Sequence, residues 1–76
     1  MSEYISKQGE QLSEEIKFLG MSLRAIAREG RVSITHLRDC IAGRRYNPSV
    51  VRHAQTMVRR RKRELFSYLQ KELEET

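Results

Sequence analysis

"SLRAIAREGRVSITHLRDCIAGRRYNP", Ser22 to Pro48, holds two short apolar runs at helical spacing, parted by one glycine and closed by a second. Leu23, Ile26 and Ala27 fall on one helix face, and Ile34, Leu37, Cys40 and Ile41 recur three and four apart, so each run predicts an amphipathic helix. Ser22 and Ser33 stand just ahead of the two runs and offer a hydroxyl to the free amides of the first turn, the N-cap role. Gly30 and Arg31 interrupt the first helix after about two turns. Gly43 ends the second in the left-handed conformation that glycine adopts without steric cost.

Working outward, Leu12, Ile16 and Leu19 recur at spacings of four and three. They predict a preceding helix that begins near Glu10 to Ser13, with Glu14 and Glu15 in its favourable first turn and Gly20 as its stop. Residues 1–9, polar and closed by Gly9, are expected to be a flexible N-terminal arm. Downstream, Arg44 to Asn47 form a short loop, and Pro48 opens the last helix where its missing amide proton costs nothing. No glycine or proline occurs from Ser49 to Glu75. One face there carries Val51, Ala54, Val58, Leu65, Leu69 and Leu73, but Arg59 to Arg63 (RRRKR) interrupts it. Either one helix of about 40 Å projects from the domain or two helices meet near the basic run.

The chain of 76 residues is short enough for one all-α domain with a modest core, for which oligomerisation is a way to gain buried surface. No apolar stretch is long enough to span a bilayer, and the N-terminus has no signal-peptide pattern, so a cytoplasmic location is expected. The single cysteine, Cys40, excludes an internal disulfide, and with His36 and His53 at non-chelating spacings no metal site is expected. No nucleophile–base pair, paired carboxylates or phosphate-cradling glycine loop suggests an enzyme, a cofactor or a small-molecule ligand. The net charge of +5 is unevenly spread: Gly20 to Arg63 hold twelve basic and two acidic residues, while both ends are net acidic. A basic centre between acidic ends suits a face that binds a polyanion.

Two short helices with a tight, glycine-containing turn match the helix-turn-helix, whose second helix enters the DNA major groove. Leu23 to Pro48 resembles the phage-repressor-like (Xre/Cro-type) DNA-binding domain: Ile26-Ala27 in the first helix, Val32 after the turn, Leu37 and Ile41 in the second helix, then Gly43, basic residues and Asn47-Pro48. The likeness covers Leu12 to about Val58 and implies a small four- to five-helix lambda-repressor-like fold with a long C-terminal helix. On that reading residues 10–58 form the DNA-binding domain and 59–76 a helical extension. Ala27 has a physical reason, since two backbones crossing over a tight turn leave room only for a small side chain. Three features depart from the family pattern. The turn glycine sits one place early, which asks Arg31 for a positive φ. Leu23 replaces a common phosphate-gripping glutamine, and Cys40 is a small residue at a core position, which suggests loose packing.

With helix 33–42 in the groove, the candidate base-contacting residues are Ser33, Ile34, Thr35, Arg38 and Asp39. Arginine can take both acceptors of guanine, threonine offers a hydroxyl or a methyl, and aspartate accepts from cytosine; for Asp39 a salt bridge that positions a neighbouring arginine is an equal alternative. The candidate phosphate contacts are Ser22, Arg24, Arg31, Arg44, Arg45, Tyr46 and Asn47, at helix starts and in the loop beside the backbone. Arg59 to Arg63 is open to three readings: a further phosphate contact, a solvated helical segment or a targeting run. His36 and His53 read as ordinary surface or half-buried histidines.

Leu65, Phe66, Leu69 and Leu73 form a seam beyond the reach of the small core. It either joins the same seam on a second copy as a homodimer, putting two recognition helices about 34 Å apart on DNA, or folds back on Ile5, Leu12 and Ile16. The resemblance implies a sequence-specific binder of double-stranded DNA, a transcriptional regulator and in particular a repressor of phage, plasmid or bacterial origin, working at the nucleoid. The alternatives are a protein-interaction adaptor or antirepressor on the same fold, and the DNA-recognition subunit of a recombination or replication complex.

Overall fold

The computed structural model describes the backbone of residues 2–75 and the side chains of residues 9–74. Within them the chain is all-α and packs four helices together: α1 (Ser2–Phe18), α2 (Leu23–Gly30), α3 (Ile34–Ala42) and α4 (Pro48–Glu75). The first three stop in the same way. Gly20, Arg31 and Gly43 each take a left-handed conformation, with φ of 67°, 58° and 82°. The following amide then reaches back to a carbonyl five residues earlier: Met21 to Ile16, Val32 to Ala27 and Arg44 to Asp39, at 2.9–3.0 Å. This is the Schellman arrangement, which satisfies the last carbonyls of a helix while reversing the chain. Arg31 therefore adopts the positive φ expected of it, and the Ser22 and Ser33 hydroxyls accept from the Ala25 and His36 amides as N-caps.

Leu12 and Ile16 from α1, Ile26 and Ala27 from α2, Leu37, Cys40 and Ile41 from α3, and Val50, Ala54 and Val58 from α4 make one buried cluster. Leu19, Leu23, Val32 and Ile34 pack half-buried around it. Every helix thus spends one stripe on the core, and α3, which touches the other three, keeps only one face for solvent. The buried stripe of α4 starts at Val50 rather than Val51, because Val50, Ala54 and Val58 lie four apart on the side facing the body, which leaves Val51 half-buried at its edge.

Three expectations are corrected. Residues 1–9 are not an arm: α1 runs from Ser2 straight through Gly9. Gly9 is buried against the Ile41 carbonyl of α3, so closely that a Cβ there would collide with it. The glycine therefore marks a close helix approach and not a break. Cys40, expected to pack loosely, is 2% exposed and sits among large aliphatic side chains.

The third correction concerns the domain boundary after residue 58. Pro48–Glu75 is one uninterrupted helix of 28 residues. It stays tied to the body beyond Val58 through Arg60 to Glu29 of α2 at 3.9 Å and Lys62 to Glu15 of α1, while Arg61 pairs within α4 with Glu64 at 3.6 Å. These carboxylates offset the repulsion within the basic run, and arginine and lysine are themselves good helix formers. Beyond them Leu65 is half-buried and Phe66, Leu69 and Leu73 are 65%, 58% and 76% exposed, so the seam is not folded back on Leu12 and Ile16. The side chain of Ile5, the third expected acceptor, lies outside the described residues.

Candidate nucleic-acid interface

Seen from the core, α3 has a buried side of Leu37, Cys40 and Ile41 and an outer side of Thr35, Arg38, Asp39 and Ala42. Thr35 and Arg38 are exposed and Asp39 is half-exposed, so three of the expected base-contacting residues share one accessible face. Ser33 is at its N-terminal end, its hydroxyl engaged by the His36 amide at 3.0 Å. Ile34 falls on the other side: its side chain packs against the core, so it is corrected from a reader to a packing residue. Arg38 lies at the flank, where with Gly9, Glu10, Ser13 and Leu23 it borders a shallow groove between α1 and α3. Ala42, which the sequence reading passed over, extends the outer face with a small exposed side chain.

The loop behind α3 is held tightly. The Asp39 carbonyl accepts from the Arg44 and Arg45 amides at 2.9 and 3.2 Å, and the Asp39 carboxylate lies 3.7 Å from Arg44 Nε. Asp39 thus takes up the salt-bridge alternative, with both partners largely hydrated, which makes the pair worth less than about 1 kcal/mol. Arg45 Nη1 donates to His36 Nδ1 at 3.1 Å, and the Asn47 side-chain amide lies 3.1 Å from His36 Nε2. A guanidinium only donates, so Nδ1 carries the lone pair and Nε2 the proton; the amide of Asn47 then meets that proton with its oxygen, the end-for-end orientation of the same group. His36 is the link between α3 and the loop, with Cys40 Sγ 3.8 Å from Nε2 completing the cluster. Asn47, expected on phosphate, is half-buried and spends its amide here.

The other expected phosphate residues are accessible. Arg24 is exposed in the first turn of α2 beside the Ser22 cap, Arg31 is exposed at the turn, and Tyr46 is 81% exposed between Arg45 and Asn47. Both acidic residues of the basic centre are already paired, Glu29 with Arg60 and Asp39 with Arg44. The run Arg59 to Arg63 is partly consumed as well, since three of its five cations meet carboxylates of the same chain.

Two structural roles escaped the sequence. His36 engages residues nine and eleven positions away, and His53 donates from Nε2 to the Ile26 carbonyl at 3.2 Å, pinning α4 to α2. Neither spacing carries a periodic signal. Gly30 belongs to the second contact, since a Cβ there would come within 2.7 Å of the His53 ring. Burial raises the Cys40 thiol above its ordinary range, Arg45 opposing this and Asp39 adding to it. The buried thiol is therefore a packing group and a poor nucleophile. Among the described residues no helix is long and apolar enough to cross a membrane, and no group of three or more histidine, cysteine or carboxylate side chains could hold a metal ion.

Comparison of the chain with protein-family models, with curated proteins and with solved structures found no match to any of them.

Proposed function

We propose that this chain is a sequence-specific binder of double-stranded DNA of the phage-repressor-like helix-turn-helix kind, with α3 in the major groove and the 44–46 loop on the flanking phosphates. The observation that carries this reading is the outer face of α3. It offers Thr35, Arg38 and Asp39 to one side and is followed at once by Arg44, Arg45 and Tyr46. Arg45 is braced by His36. A short helix with only one face committed to the core, closed by a rigid basic loop, suits a groove flanked by phosphates. Its role is that of a transcriptional regulator, a repressor that occludes a promoter.

Selection of bound sequences from a random duplex pool tests the proposal, followed by titration of the best one. An enriched sequence is expected, and Arg38→Ala should cost about 1–3 kcal/mol and relax preference at one base pair. Arg45→Ala should weaken all sequences alike and reduce the salt slope by about one. If no sequence is enriched and binding is weak and salt-sensitive throughout, the reading fails, and the accessible face of α3 belongs to an acidic protein partner.

A further inference from the structure

We infer that the distal half of α4 pairs antiparallel with the same segment of a second copy of this chain. The proposal rests on α4 alone and stands whether or not α3 reads DNA. Ala54 and Val58 are buried against the body, and Leu65 and Leu69 continue the same stripe, all four lying within about 60° at about 100° per residue. The stripe therefore leaves the body carrying apolar side chains with it. The ties of α4 to the body, Arg60 to Glu29 and Lys62 to Glu15, come before residue 64, and past them Phe66 and Leu69 are well over half exposed.

Charge decides the occupant and its direction. Residues 59–63 are RRRKR, whereas 72–75 read ELEE, so one end of the segment is strongly basic and the other acidic. A parallel partner would set the two basic blocks side by side, an arrangement that costs free energy through like-charge contact. An antiparallel partner sets each basic block against the other's acidic end. Centred on Ser67, this register brings Leu65 against Leu69 of the second copy, Lys62 against Glu72, and Arg59 and Arg60 against Glu75 and Glu74. Among the described residues Arg59 and Arg63 make no ion pair within the chain, so basic charge remains for the second copy. The overlap of residues 59–75 spans about 25 Å, leaves the two bodies at opposite ends and has the two-fold symmetry of a closed dimer.

Sedimentation equilibrium of the full chain at micromolar concentration, at low and high salt, tests the pairing. A dimer that weakens with salt is expected, and reversing the acidic end (Glu72→Lys, Glu74→Lys and Glu75→Lys together) should raise its dissociation constant about tenfold or more with helicity kept. Direction is read separately by oxidative cross-linking of Leu65→Cys and Leu69→Cys proteins, with the buried Cys40 silent in the wild type. The mixture should cross-link and neither protein alone should, because in the antiparallel register each position is offset from its own copy by about 6 Å along the axis, which takes the pair beyond disulfide reach. A chain that stays monomeric, a dimer indifferent to the reversed charges, or self-cross-linking of each single variant would each overturn the proposal.

Discussion

Arg31 is the residue at which this fold is under most backbone strain. Its φ of 58° is one that glycine tolerates and a residue with a Cβ does not favour, yet the turn between α2 and α3 needs it there. Arg31→Gly should raise stability by about 0.5–1 kcal/mol even after the looser unfolded chain is counted, whereas Gly43→Ala should lower it by about 1 kcal/mol. Urea melts of the two variants check both signs. At Cys40 burial pushes the thiol pKa up from its ordinary 9.0. The folded state then holds its proton to higher pH than the unfolded one, so this contribution is complete below the ordinary value and is lost as pH rises through the folded one. Wild-type stability should therefore fall more steeply above that value than that of Cys40→Ala, as read from denaturant midpoints along an alkaline series. At His36 the sequence offered no warning. Its partners Arg45 and Asn47 come from a loop whose path depends on the left-handed turn at Gly43.

Among the elements, α1 differs most from its sequence reading. Glycine inside a helical pattern is ordinarily a liability, and Gly9 read as a boundary for that reason. In the folded chain it lets α1 lie against the Ile41 backbone of α3, so α1 begins seven residues further back than residue 9 would allow. The two readings predict opposite signs. If Gly9 ended an arm, Gly9→Ala would stabilise the helix by about 1 kcal/mol. With Gly9 at a close helix crossing, it should destabilise by about 1–3 kcal/mol through overpacking, and a thermal melt decides between them. By contrast α2 and α3 were legible almost to the residue. Their starts rest on serine caps, their ends on local left-handed stops, and their stripes on spacing, all of which are written within a few neighbouring positions. The choice between one helix and two for residues 48–75 was not local, because it turned on Glu15, Glu29 and Glu64 meeting the basic run.

At the scale of the whole molecule, extents of 47 × 26 × 17 Å describe a small body with α4 as its long axis. The charge distribution acts at this scale too. On the proposed function, DNA affinity should fall linearly with the logarithm of salt, and Arg44→Ala with Arg45→Ala together should flatten that line by about two phosphate contacts while leaving sequence preference unchanged. Titrations of one strong and one weak duplex at several salt concentrations measure it. What the sequence determined alone were the local quantities: helix caps, left-handed stops, apolar stripes, the all-α class and the basic centre, because each depends on residues within a turn or two of one another. Only the tertiary structure decided which stripe member of α4 faces the body, that Gly9 and Gly30 are contact sites, that Ile34 packs while Thr35 stands out, and that the two histidines bind distant partners. Those outcomes depend on which surfaces meet when four helices close on one core, and no spacing along the chain records that meeting.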